Sequence, residues 1–375
     1  MSEEDFPVVV FNFGSYTCRV GLSDVEPSKV IPSLVARPPL RWPEAGMAFQ
    51  LIFGYAAKDA VLSHRVTSPF DDGSNINWDD AESLWAHIFR EQLGLEPQET
   101  PVVVAYPCNS SLKDRERIAE IMFESYGVPA LFMENEAVLS LFACDKRTGV
   151  VLDCGHQQTT VVSVIDGIVV PESIKTMKYG GKQLDFYFMK LLIQSGHELS
   201  ISTDMPIVTN MKERLGSAER SEEVEKEFSL PDSRSITVGE ERFQFADTLF
   251  HCAGDQNPNT VQELVYESIL SCPATCRDEL LSNIICSGGT TQLQNFRSRL
   301  ESELNHLLEN AEKPEALYVS SAARYSAFQG ASSIASTHKN SENMWITREQ
   351  FEEEGKHIIH TPFVPPTSTQ KSARN

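Results

Sequence analysis

The chain has 375 residues, 41% hydrophobic and 23% charged, with 32 basic and 53 acidic side chains and a net charge of −21. The length allows two or more lobes, each with its own core, and the composition is that of an ordinary globular protein. The negative field opposes general contact with DNA, RNA or anionic membranes, so no sequence-specific nucleic-acid binding is expected.

No apolar stretch approaches the length needed to cross a bilayer, so no membrane insertion is expected. The acidic start MSEEDFP lacks the basic and apolar regions of a secretory signal. These features place the chain in the cytoplasm or nucleus. Eight cysteines include no C-x-x-C pair, and the closest spacing is Cys272 to Cys276. Reduced, mostly buried thiols are expected rather than a structural zinc site.

In chain order, the first element is VVVFNFGSYTCRVGL, residues 8–22. A β-branched apolar run breaks at a glycine-bearing turn and resumes, which predicts a β-hairpin. Apolar residues at three- and four-residue spacing predict helices over 79–94, 112–127 and 182–196, each ending near a glycine. GVVLDCGHQQTTVVSVIDG, residues 149–167, repeats the hairpin pattern about 140 positions after the first. The repeat predicts a duplicated architecture of two α/β lobes. Residues 208–228 are charged and read as a solvent-facing helix. NIICSGGTTQL (283–293) followed by FRSRLESELNHLL (296–308) reads as strand, glycine turn and helix. The residues after 360 have no periodicity and are expected to form a mobile tail.

Phosphates need convergent N–H donors and close backbone approach, and glycine turns at strand ends supply both. Gly14-Ser15 with Arg19, Asp153-Cys154-Gly155, and Gly288-Gly289-Thr290 are three such turns. A carboxylate at a strand end can hold hydrated Mg²⁺, which prefers oxygen ligands. A basic residue inside the first hairpin can reach phosphate oxygens as a charged donor.

The ordered series resembles actin and the actin-related proteins. The matching blocks include NINWDDAESLW at 75–85, MFESYGVPALF at 122–132, EAVLSLFA at 136–143, TGVVLDCG at 148–155, CSGGTT at 286–291 and MWITREQFEEEG at 344–355. The match runs from about residue 7 to about 360. The resemblance implies an α/β actin-like fold with two lobes, each a mixed sheet flanked by helices, and a nucleotide cleft between them. The implied subdomains are 1–32, 69–143 and 326–360 for the first, 33–68 for the second, 144–179 and 257–325 for the third, and 180–256 for the fourth. Residues 361–375 form the tail.

The resemblance also implies ATP or ADP with Mg²⁺ as cofactors. Gly14, Ser15, Arg19, Gly155, Gln157, Gly181, Lys212, Glu213, Gly288, Gly289, Thr290 and Arg324 match nucleotide-contacting positions. Asp153 matches a metal-side carboxylate. Asn12 stands where actin has an aspartate that holds the hydrated metal, so weaker Mg²⁺ binding is expected. Arg19 replaces a lysine, and its planar fork differs in geometry from an ammonium. His156 and Gln157 replace Asp-Gly, and Gln183 replaces an aspartate beside the nucleoside. Glu136 and Thr160 match the glutamine and histidine that position the attacking water in actin. The enzymatic expectation is at most a slow ATPase, because such positioning carries the hydrolysis.

Filament surfaces depart as well. The plug-loop segment 252–260 is polar where actin is apolar, and polar groups do not replace apolar burial. The top-loop segment 38–50 has three prolines and Trp42, a candidate anchor. Gln329, Ser333 and Thr337 replace apolar residues of the cleft helix, and Asp72 replaces a nucleotide-sensing histidine. The resemblance therefore implies a structural or regulatory subunit of a multiprotein complex, cytoskeletal or chromatin-associated. Its partners would be other subunits, including actin or other actin-related proteins. An ATP-cycling filament former is the second reading. A metabolic phosphotransferase of the same fold superfamily is the third, and it rests on fold analogy alone.

Overall fold

The computed structural model describes residues 7–23, 26–38, 51–70, 76–201, 203–230, 233–251, 259–308, 318–321, 324–338, 341 and 343–360. Trp42 and most of the top-loop segment, Asp72, residues 252–258 of the plug-loop segment, and the tail after 360 lie outside the described residues.

Two six-stranded sheets organise the chain. In the first, Val9–Phe13 pairs antiparallel with Thr17–Leu22 and parallel with Val102–Tyr106. In the second, Gly149–Cys154 pairs antiparallel with Thr159–Ile165 and parallel with Ile284–Ser287. The same hairpin-plus-parallel-strand unit therefore occurs twice, as the sequence repeat predicts. Val9–Phe13 and Val102–Tyr106 are buried at every position, and both read as unbroken apolar runs apart from Asn12. That pattern belongs to strands covered on both faces.

The first sheet is extended on one side by Ala130–Asn135 and Ile346–Thr347, and on the other by Lys29–Pro32. The second carries Ile168–Val169 and Val319–Ser321 at its edges, with Lys175–Met177 also pairing to Thr159–Ile165. Among the described residues, two small sheets complete the fold. One sets Val35–Arg37 between Ile52–Phe53 and Arg65–Thr67, and the other pairs Lys226–Ser229 with Ser235–Val238.

Separate cores lie under the two sheets. Phe11, Trp85 and Phe89 anchor one, and Phe188, Phe245 and Phe296 anchor the other. A third cluster joins them: Ala137, Val138 and Leu141 pack against Val151, Val162 and Ile285 of the second sheet. The helix Glu136–Phe142 is thus the hub between the halves. It is crossed by the helix Ser326–His338 so closely that a Cβ on Gly330 would lie 1.9 Å from the Leu139 carbonyl oxygen. Only a residue without a side chain fits there.

The predicted helices form at Trp78–His87, Leu112–Glu120 and Gly181–Gln194. The first two continue as single π-helical stretches, Ile88–Leu93 and Ile121–Ser125. Phe296–Leu308 is helical as predicted.

The expected helix over 208–228 is corrected. The helix is Met205–Leu215, the chain leaves it at Gly216, and Lys226–Ser229 is a strand. Any Cβ at Gly216 would sit 2.5 Å from the Lys212 carbonyl and 2.6 Å from the Phe245 ring, so the chain there is pressed against its neighbours. The alternation of Lys226-Glu227-Phe228-Ser229 then buries Phe228 alone, the period of a strand.

The seven described cysteines form no disulfide, and five of them are buried. Among the described residues, no helix is long and apolar enough to cross a membrane.

Candidate functional site

A cavity of about 600 Å³ opens where the two hairpins and the third glycine turn meet. Asn12, Asp153 and Ser287 stand at or next to the C-terminal ends of parallel strands in the two sheets. Ligands in α/β folds bind outside such strand ends.

The backbone of the cavity is close-packed at its glycines. Gly288 has φ of +87°, and a Cβ there would approach the Cys154 carbonyl to 2.5 Å and the Asp153 Oδ1 to 2.7 Å. The Gly155 carbonyl accepts from Gly181 N–H and from Thr290 Oγ1, each at 3.0 Å. One carbonyl therefore ties the second hairpin, the helix Gly181–Gln194 and the third glycine turn together. Beside Gly289 a side chain would meet nothing within 4 Å.

The polar centre is a relay. Arg19 Nη1 donates to Asn12 Oδ1 at 2.9 Å, and Asn12 Nδ2 donates to Glu136 Oε1 at 2.5 Å. Glu136 begins its helix, and Asn135 caps it by accepting from the Ala137 N–H at 2.8 Å. A carboxylate in a first helical turn is electrostatically favoured. Burial nonetheless raises the Glu136 carboxyl well above its usual range, and the nearby Asp153 raises it further, against the pull of Arg19 and Asn12. Burial raises Asp153 likewise, opposed by Arg19 and by a hydrogen bond from Ser287. Two acids in one low-dielectric site disfavour double ionisation unless a cation joins them.

Cations line the same cavity. Arg19 lies 5.8 Å from the Tyr325 ring centroid and Arg324 lies 5.9 Å from it. Arg19 Nε is buried without a hydrogen-bond partner among the described residues. Lys212 is buried and paired: its Nζ lies 2.7 Å from Asp185 Oδ1 and donates to the Gly181 carbonyl at 3.2 Å. Thr209 Oγ1 donates to the other Asp185 oxygen at 2.9 Å. Burial raises the Asp185 carboxyl, and Lys212 opposes that shift.

Two contacts cross the opening. The rings of Tyr16 and His156 lie 4.5 Å apart, one from each hairpin. Asn109 and Gln158 exchange reciprocal amide bonds at 3.2 and 3.1 Å.

Apart from Thr160 and Gln183, the residues assigned from the sequence to the nucleotide, the metal and the attacking water line this cavity. Asn12, Gly14, Ser15 and Arg19 come from the first hairpin, and Asp153, Gly155 and Gln157 from the second. Glu136, Gly181, Lys212, Glu213 and Arg324 join them, with Gly288, Gly289 and Thr290 from the third turn. Thr160 is one exception. It is buried, faces Asp153 in the strand register, and is not among the cavity-lining residues. Gln183 does not line the cavity either: its Oε1 accepts from the Gly180 N–H at 2.9 Å and caps the helix start.

Asp185 was not singled out by sequence reasoning. Its signal was present, because an acid on the buried face of the 182–196 helix, between Leu184 and Phe188, demands a partner.

The Actin family model matches residues 3–364, and the chain belongs to the actin family. Members of the family generally bind ATP or ADP with Mg²⁺. The residues present fit such a group. Gly14, Gly155, Gly288 and Gly289 line the cavity, the Arg19 Nε has no hydrogen-bond partner among the described residues, and two half-buried acids share one site in the arrangement a cation satisfies.

Proposed function

We propose that the chain is an ATP- or ADP-binding actin-fold subunit of a larger cytoskeletal or chromatin-associated complex, with impaired hydrolysis and weak or no self-polymerisation. In this reading Ser15, Arg19 and the turns at Gly14, Gly155 and Gly288-Gly289 hold phosphates. Gly181, Lys212, Glu213, Thr290 and Arg324 frame the nucleoside. Asp153 takes the metal side, with Asn12 contributing through water. The subdomain boundaries given above belong to the same proposal.

The single observation that carries it is the bond from Asn12 to Glu136. Glu136 stands where the resemblance puts a water-positioning amide, yet its carboxylate is engaged by Asn12 and crowded by Asp153. A group so held is not a mobile acceptor for water. Thr160, at the second water-positioning place, neither lines the cavity nor can act as a base. Ser333 and Thr337 are exposed polar residues on the helix Ser326–His338, which supports a surface unsuited to apolar filament contacts.

The test is a single turnover with ATP and Mg²⁺ followed by high-speed sedimentation. Slow phosphate release with the protein left in the supernatant is expected. Rapid release with pelleted filaments would replace this reading with that of an ATP-cycling polymer former.

A further inference from the structure

Far from the cleft, the 3₁₀ helix Lys356–His360 packs against the helix Leu112–Glu120. A 3₁₀ helix has three residues per turn, so positions i and i+3 eclipse. His357 and His360 therefore point the same way. Both meet one carboxylate oxygen: His357 Nδ1 and His360 Nε2 each lie 3.2 Å from Glu116 Oε1. The three ligand atoms fall within 4.8 Å of one another.

The carboxylate is held from its other side. Lys356 Nζ lies 3.2 Å from Glu116 Oε2 and 3.0 Å from Glu120 Oε1, so Glu120 offsets the ammonium charge. An outer partner of this kind fixes a ligating carboxylate in orientation. The buried Nδ1 of His360 has no hydrogen-bond partner among the described residues. Nothing there locks the ring into the tautomer that would protonate Nε2. The His357 side chain is 79% exposed, which leaves one side open to solvent.

We propose that Glu116, His357 and His360 form a surface site for a borderline divalent cation of the zinc class, bound by two imidazole nitrogens, one carboxylate oxygen and a water. Two nitrogens and one oxygen suit Zn²⁺ with an open fourth position, and do not suit Mg²⁺ or Ca²⁺, which take oxygen donors. The ion clamps the 3₁₀ helix onto the helix Leu112–Glu120. Its binding releases any proton held on the two coordinating nitrogens.

The experiment uses the full chain with its cleft saturated by Mg²⁺ and nucleotide. Co²⁺ is titrated and followed by visible absorption, with Zn²⁺ competition. One equivalent of Co²⁺, displaced by Zn²⁺, is expected for the unaltered chain. His357→Ala should lose at least about tenfold in affinity, since even outer-shell changes cost that much. His357 is so exposed that its removal leaves the fold intact, and His360→Gln serves as the second variant. A Zn²⁺-dependent rise in the unfolding midpoint, absent in His357→Ala, is the second readout. Equal uptake by the unaltered chain and by His357→Ala would overturn the proposal, as would no uptake by either.

Discussion

Asn12 and Glu136 lie 124 positions apart in sequence, and the Asn12 Nδ2 to Glu136 Oε1 bond of 2.5 Å joins the central strand of the first sheet to the hub helix. Asn12 is buried and Glu136 half-buried, and Asp153 of the second sheet bears on the same carboxyl. In the proposed reading, Asn12 alone would take a charge from the metal side of the cleft. The Glu136 carboxyl stands one hydrogen bond away on the adjoining helix, and in that reading it would supply an acid in place of the one absent at Asn12.

A pH dependence follows for the nucleotide-free, chelated protein. The Glu136 carboxyl is raised in the folded state above its ordinary 4.5. The folded state therefore binds its proton more tightly than the unfolded state. Stability is full below the ordinary value and falls as pH rises from there to the raised value, by about 1.4 kcal/mol for each pH unit crossed in that window. Glu136→Gln removes the ionisation while keeping an acceptor for Asn12, so its urea stability should lose this fall. An unchanged pH profile in that variant would locate the dependence elsewhere.

The Lys212–Asp185 pair should behave as a buried ion pair. Asp185→Ala leaves an ammonium buried without its partner and should cost roughly 3–5 kcal/mol, whereas Asp185→Leu with Lys212→Met should come close to neutral. Chemical denaturation of the three chains checks this. A small loss in the single variant would mean that water reaches the pair.

Gly330→Ala places a methyl 1.9 Å from the Leu139 carbonyl oxygen, an approach to backbone that no rotamer relieves. The two helices must separate, and a destabilisation of about 1–3 kcal/mol is expected. Because these helices join the halves, the same variant should also release bound nucleotide faster. Thermal unfolding and a stopped-flow chase of a fluorescent nucleotide report the two effects.

The contacts across the cleft opening should slow exchange. Tyr16→Ala combined with Asn109→Ala removes both the ring contact and the amide pair. At roughly 0.5–1.5 kcal/mol for each contact, the nucleotide off-rate should rise about fivefold or more. An unaltered off-rate would show that the lobes open elsewhere.

The two hairpins and the third glycine turn were legible in the sequence because each is a local pattern. Apolar runs broken by glycine specify strand and turn without help from distant residues. Their convergence on one cavity followed from the repeat and from the actin resemblance, which carried Lys212 and Arg324 into the same site. Other features were not legible because they depend on packing. The helix that ends at Gly216 continues in periodicity, and it stops where the Ser217 N–H turns away to the Arg242 carbonyl of another helix. Thr160 occupies its expected place in the strand and yet does not reach the cavity. Asp185 is visible as an acid on a buried face, but its partner Lys212 comes from another helix. The linked Asn12 and Glu136 each read as a separate departure until the structure placed them in contact.

The most direct test is the nucleotide content of the purified chain, measured by denaturing it and resolving the supernatant by ion exchange, alongside Asp153→Ala. Near-stoichiometric ATP in the unaltered chain, with much less in Asp153→Ala, is the predicted result. Stoichiometric ADP would contradict impaired hydrolysis. A cleft that stays empty after saturating incubation with ATP and Mg²⁺ would contradict nucleotide binding itself.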